Sequence, residues 1–230
     1  MDKQAFRRGF LSVSPVMAGL VPFALLAGAT PVEAGFSTLT AMALSVFVFA
    51  GASQLALVQL ATEDTAAVVM VLTALVINLR FAMYSASLSQ YLPGMRGAPR
   101  WLVPYLLTDQ AFAISVAHYK PEHALRYRVS YYMGIAVPTW LLWQAGTLTG
   151  ALLGARIPPS WSLDFAIPLV FLSMIIPVIR SKAMFVAGLS SAVVSTLLYT
   201  YSTGLAILAG AFAGIAGGYL WARWRPEVSA

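Results

Sequence analysis

The sequence holds no cysteine, one asparagine, two histidines and eight acidic residues in 230. Without thiols it forms no disulfide, zinc–thiolate site or iron–sulfur cluster. Charged residues make up 10% of the chain and hydrophobic ones 60%. A soluble chain carries about a quarter charged residues, so the deficit is too large for a water-facing surface. The composition therefore points to a polytopic membrane protein. The net charge of +6 could suggest nucleic acid. The basic residues stand between apolar runs, however, and read better as a topology signal. No Gly-rich phosphate loop with lysine is present, and no Gly-x-Ser-x-Gly elbow stands with a histidine, so neither ATP hydrolysis nor proteolysis is expected. His118 and His123 lack ligand spacing with a carboxylate. No enzyme activity, cofactor or metal is expected.

Spans are assigned where ~17–25 mostly apolar residues run together. Eight result: 10–29, 37–60, 66–89, 101–119, 129–152, 164–180, 183–201 and 204–222. Only Ser202 and Thr203 separate the last two, and the sixth is short, so seven spans is the alternative. The N-terminus imitates a secretory signal, but Pro15, Gly19 and Pro22 interrupt its apolar run, which reads as a retained first helix. The expected fold is an all-α bundle, one integral membrane domain over 1–230. Its helices are kinked or broken at Pro15, Gly19, Pro22, Gly51, Pro138 and Pro168, with Pro104 and Pro177 as further kink positions.

Counting basic residues beside the spans gives the orientation. With both termini cytoplasmic, the inner side collects Lys3, Arg7, Arg8, Lys120, Arg126, Arg128, Arg180, Lys182, Arg223 and Arg225. The outer side holds Arg96, Arg100 and Arg156. The 61–65 turn is then cytoplasmic although it carries Glu63 and Asp64. A faint repeat aligns residues 6–28 with 127–150, Pro22 with Pro138, and Phe49-Ala50 with Phe165-Ala166. Halves of 6–118 and 127–230 are one reading, and shared apolar composition is the other. Six tryptophans, mostly near span ends, read as an interfacial belt.

The run from Ala66 to Leu88 is the most informative, because Asn78, Arg80 and Tyr84 lie inside it. A guanidinium at membrane depth costs at least ~2.5–3.5 kcal/mol and needs a partner or a wet cavity. Counted from the presumed outer ends of their spans, Arg80 and Asp109 lie at ~15 and ~12 Å, close enough to meet. Two readings stay open: a substrate site, with Arg80 on a carboxylate and Asp109 on an ammonium or a proton, or a permanent pair that locks two helices. Gly51-Ala52-Ser53-Gln54 permits irregular backbone whose freed amides meet a substrate, or close helix packing. Asn78 does not share Arg80's face if the helix is regular.

Four stretches occur in order: PVMAGLVPFALLAG, FAGASQLALVQL, NLRFAMYSASLS and LLTDQAFA. Together they resemble the AzlC family of branched-chain amino acid permeases, most strongly from residue 10 to about 115. The resemblance implies export of valine, leucine and isoleucine, with methionine as a further candidate, across the cytoplasmic (inner) membrane, alongside a small AzlD-type membrane subunit. Where the family pattern often has glutamate after Asp109, this chain has Gln110, so no proton-coupling carboxylate is implied there. A branched aliphatic zwitterion needs a charged anchor beside apolar walls. Arg80 is the expected anchor, with Ser53, Gln54, Asn78, Tyr84 and Asp109 around it and Met83, Phe81 or Phe49 as walls. A non-transporting scaffold subunit, and a transporter or channel for another small carboxylate, are the alternatives.

Overall fold

The structure, a computed structural model, describes residues 1–154, 179 and 181–224. Among these there are nine helices and no strand: α1 (Lys3–Glu33), α2 (Thr38–Phe47), α3 (Gly51–Thr62), α4 (Ala67–Ser89), α5 (Pro99–Tyr105), α6 (Asp109–His118), α7 (Leu125–Gly154), α8 (Lys182–Tyr199) and α9 (Thr203–Trp224). By length and composition α1, α4, α8 and α9 can each cross a membrane. The expected span over 164–180, Pro168 included, falls outside the described residues apart from position 179. Two compact units form. One holds Met1–Gln54 and the chain from Asn78 through α7, and the other holds Leu55–Ile77 with α8 and α9.

The first unit is built on the pairing of α1 with α7. Glycines on both helices remove the Cβ atoms that would keep the backbones apart. A Cβ on Gly134 would strike the Phe6 carbonyl, and one on Gly150 the Leu25 carbonyl. From the other side, Gly28 faces the Thr147 carbonyl and Gly9 the Tyr131 carbonyl. The two stretches that align as a repeat thus lie side by side.

The prolines do not interrupt these helices. α1 runs unbroken through Pro15, Gly19 and Pro22, and α7 through Pro138, so of the kinked or broken forms expected there the broken one does not occur. Proline removes one backbone bond, and a nearby hydroxyl or a packed neighbour can restore satisfaction. The Leu11 carbonyl, four residues before Pro15, accepts the Ser14 hydroxyl at 3.0 Å. Close packing of α1 on α7 does the rest.

The breaks fall instead in the second and fourth expected spans. The stretch 37–60 is two helices, α2 and α3, separated at Val48–Ala50, with Phe49 at φ +42°. Gly51 therefore opens a helix just past the break. The stretch 101–119 is also two helices, α5 and α6, of 7 and 10 residues. Thr108 caps α6 by accepting the Ala111 N–H at 3.1 Å. Irregular backbone at this depth is tolerated only where protein buries it or water reaches it. Here Phe49, Ala50, Leu106 and Leu107 are all buried.

α5 and α6 form a hairpin that enters and leaves at one end of the unit. Met95, Arg96 and Pro99 line a cavity of about 260 Å³ with Met1, Leu125 and Arg126. Arg128 donates to the Tyr91 carbonyl at 3.0 Å and to the Lys120 carbonyl at 2.8 Å, tying the two flanks of the hairpin together. From there α5 descends beside α7. Tyr132 donates to the Val103 carbonyl, and Trp140 to the Tyr105 hydroxyl. α6 then returns to set His118 beside Tyr127.

A crossing over 101–119 is therefore not found, and Arg96 lies at the end that holds Met1, Arg126 and Arg128. At ~1.5 Å per residue the half-helices reach only ~10 and ~15 Å, too short to cross. A hydropathy window misses the turn because Leu106 and Leu107 are themselves apolar. α4 is one helix, with Ser89 at the basic end.

In the second unit α8 and α9 pack through small residues. Gly214 approaches the Ala187 carbonyl, and Gly210 approaches Ser195. Ser190 donates to the Ala213 carbonyl at 3.2 Å, and Ser195 to the Ala206 carbonyl at 3.1 Å. Gly204 faces Val69 and Leu60.

Two measurements check this architecture. Gly134→Ala and Gly150→Ala are each expected to destabilise the protein by about 1–3 kcal/mol through overpacking. Gly188→Ala, with open space around it, is expected to be neutral in the same thermal-unfolding assay. The chain's lack of cysteine makes it a ready background for thiol labelling. Cysteines placed at Arg96 and Arg126 should label from the same side of the membrane. Labelling of positions 96 and 126 from opposite sides would reject the hairpin.

Candidate functional site

The first unit carries two polar clusters at depth, both involving α4. Asn78 and Arg80 are two residues apart, ~200° around a regular helix. α4 is unbroken, so they meet different neighbours. Arg80 pairs with Asp109, Nη1 to Oδ2 at 3.2 Å. Tyr84 donates to the other carboxylate oxygen at 2.9 Å. Its ring stacks on Phe112 with centroids 4.5 Å apart, and the Arg80 guanidinium lies 5.0 Å from the Phe81 ring. Asp109 stands in the first turn of α6, where the helix dipole favours a negative charge. Both charges lie ~14 Å from the basic end, counting along α4 from Ser89 and along α6 from His118. The depth expected for Asp109 was counted along an unbroken 101–119 span, which is absent; the two charges meet because α6 returns to the end where α4 finishes.

The pair is not sealed. The two side chains keep 30% and 33% of their surface accessible, and Arg80 Nε has no hydrogen-bond partner. This arrangement can hold two opposite charges at depth, and it can open to admit a carboxylate at Arg80 or a cation at Asp109.

The second cluster surrounds the start of α3. Asn78 donates its amide N–H to the Ser53 hydroxyl at 3.1 Å, and Ser53 donates to the Ala50 carbonyl at 3.0 Å. Gln54 is fully buried, yet neither amide atom has a partner. The Asn78 amide oxygen and the Trp143 indole N–H are also unpartnered. A buried polar group left so costs ~1–3 kcal/mol, and several together are a strong departure from ordinary protein interiors. Phe23 and Trp143 press on Gly51, each with a ring carbon 2.6 Å from where a Cβ would stand. Phe49 meets Trp143 edge-on at 6.5 Å.

The two breaks are joined by Tyr105 at the tip of α5. Its hydroxyl donates to the Val46 carbonyl at 2.9 Å, and its ring lies 6.2 Å from Phe49. Sequence reasoning missed Tyr105. It also set Trp143 in the interfacial belt, whereas this residue is buried at the break. Gly and polar residues together were the signal for that break, and the Thr-Asp capping pair was available for the other. Of the expected wall residues, Phe49 lines the break and Phe81 lies beside Arg80. Met83 is exposed on α4 and lines neither.

The histidines lie half-buried in a ring stack at the basic end. His118 stacks on Tyr131 at 4.0 Å, and His123 lies 4.4 Å from Tyr127. Among the described residues no three of His, Asp and Glu gather as a metal set.

Residues 15–157, more than half of the chain, match the family of AzlC proteins. The chain belongs to the AzlC family. It is similar to a membrane protein of Archaeoglobus fulgidus, 28% identical over 91% of this chain and 92% of that one. It is also similar to the inner membrane protein YgaZ of Escherichia coli, 26% identical over 96% and 92% of the two chains. A Helicobacter pylori membrane protein is 24% identical over 74% and 73%. No solved structure matches. The AzlC match covers α2 through α6 and so includes both breaks and the Arg80–Asp109 pair.

A double-mutant cycle measures what that pair contributes. Arg80→Ala and Asp109→Ala are each expected to lower stability more than their combination suggests, because each strands the other charge at depth. A coupling of about 0.5–3 kcal/mol is expected from unfolding in detergent, with the lower part favoured by the pair's partial exposure. Strict additivity would mean that the two charges do not interact.

Proposed function

We propose that this AzlC-family membrane protein is the large subunit of a secondary transporter that exports branched-chain amino acids. In this reading valine, leucine and isoleucine are the substrates, methionine fits the same chemistry, and a small AzlD-type membrane subunit completes the carrier. The chain acts as a carrier and not as an enzyme. The observation that supports this most is the meeting of two interrupted helices at depth, through Tyr105 and the α2–α3 break, beside buried polar side chains. Secondary transporters bind their substrates at such discontinuities, where half-helices leave backbone groups available. A static anchor has no use for them.

The membrane is the cytoplasmic one, as for the Escherichia coli relative. Lys3, Arg7, Arg8, Arg96, Lys120, Arg126 and Arg128 gather at one end of the first unit, and the positive-inside rule makes that end, with the N-terminus, cytoplasmic. The C-terminus is assigned to the same side from Arg223 and Arg225. Eight crossings are not retained in this reading, because α5 and α6 return to the side they left and, with Lys3 and Arg96 at one end, the chain between those two residues crosses an even number of times.

A scaffold without transport is the second reading, and the closed Arg80–Asp109 pair is the observation that favours it. The two separate in one experiment. The chain is reconstituted with its partner in vesicles loaded with labelled leucine. Efflux and counterflow are expected from the intact pair, and Arg80→Ala is expected to lower efflux at least ~10-fold while the complex still forms, since one charge-assisted contact is worth ~1.5–3 kcal/mol. Loss of the complex in Arg80→Ala favours the scaffold. Equal leucine release with and without the intact pair rejects the substrate. Release rising linearly with gradient, without counterflow, marks a channel.

A further inference from the structure

Arg80 was the expected anchor for a substrate carboxylate, but its guanidinium is already taken up by Asp109 and lies against Phe81. Buried groups lacking partners concentrate elsewhere, at the start of α3. The first turn of any helix leaves its N–H groups without intrahelical acceptors, and these attract anions. Here they are the N–H groups of Gly51, Ala52 and Ser53. Three further observations set this helix start apart. Gln54, on Gly51's side of α3, is fully buried with both amide atoms free. The Trp143 indole, whose ring reaches Gly51, is 6% exposed and its N–H is free. Asn78, held by its N–H on Ser53, has its amide oxygen free.

We propose that the break between α2 and α3 is the subsite for an α-amino acid zwitterion with an apolar side chain. The carboxylate lies on the N–H groups of Gly51–Ser53 and on the Gln54 and Trp143 donors. The ammonium lies on the amide oxygens of Gln54 and Asn78. Phe23, Phe49 and Trp143 supply the apolar wall. The donor and acceptor sets match both ends of a zwitterion, whereas a simple anion would leave the amide oxygens unanswered. Glycine at position 51 is required because a side chain there would fill the space between Phe23 and Trp143. The inference deepens the transporter reading and rests on it. It moves the carboxylate from Arg80 to α3 and leaves the Arg80–Asp109–Tyr84 cluster as the element that responds to loading.

Binding to the purified complex tests this with leucine, leucinamide (no carboxylate) and 4-methylpentanoate (no ammonium). Wild-type protein is expected to bind leucine at least ~10-fold more tightly than either analogue, since each charged end loses a hydrogen-bonding set. Trp143→Phe keeps the ring and loses the N–H, and Gln54→Met keeps the length and loses the amide. Each is expected to weaken leucine binding ~5- to 10-fold, as one buried hydrogen bond implies. Gln54→Met should also narrow the gap between leucine and 4-methylpentanoate. Melting curves of the two variants exclude misfolding as the cause, and Trp143→Phe carries the test if Gln54→Met fails to fold. Leucine affinity unchanged in both variants overturns the inference while leaving the transporter reading in place. A wild-type complex that exports leucine but binds both analogues as well as leucine does the same. Failure of the wild-type complex to bind or export leucine removes the substrate assignment, and the subsite with it.

Discussion

The contact on which the first unit depends is backbone against backbone, between α1 and α7. Apolar side chains gain little by leaving lipid for one another, so helices in a membrane associate through close approach and polar contacts. The glycines of α7 let carbonyls of α1 settle directly onto it. That pairing gives the unit two long continuous helices that keep their proline-containing segments straight enough to pack. Ser45 and Thr147 bond each other at 3.0 Å, and Gln144 donates to the Ser45 carbonyl, so α2 is held to the same face. Tyr132 and Trp140 hold α5 in turn. The broken helices are thus supported by unbroken ones.

The division of labour follows from what each kind of helix can satisfy. A continuous helix closes its own hydrogen bonds and can face lipid. An interrupted one exposes donors and acceptors, and these must be covered or used. Around Leu106–Thr108 the Thr108 cap and burial cover them. Around Val48–Gly51 the side chains nearby have unpartnered atoms of their own. The two interruptions are therefore chemically different, one capped and one with unpartnered polar atoms beside it.

Much of this was legible in the sequence. The meeting of Arg80 with Asp109 was one of the readings the sequence left open, although its depth count ran along a crossing over 101–119 that is absent. The break beside Gly51 could be anticipated from small and polar residues within an apolar run. The topology around α5 and α6 could not be read the same way. Averaging hydropathy over a span treats Leu106 and Leu107 as part of a helix, so one crossing was expected where α5 and α6 form a hairpin. The prolines misled in the opposite direction. Proline removes a single donor, and in α1 a neighbouring serine answers the freed carbonyl, so the residue that looked most disruptive left the helix whole. Trp143 lies well inside the expected span 129–152, so its distance from the interface was legible, whereas its contact with the α2–α3 break was not.

The equal depth of Arg80 and Asp109 carries an electrical consequence. While they touch, they form a neutral dipole near mid-membrane, and the transmembrane voltage does almost no net work on them. Asp109, however, belongs to a hairpin anchored at one end, whereas Arg80 belongs to a full-length helix. If the hairpin shifts without α4, a single negative charge moves through the field alone. A complete traversal is worth ~2.3 kcal/mol per 100 mV, and a partial one a proportionate fraction. Separation of this pair is therefore the step at which membrane potential gains a handle on the protein.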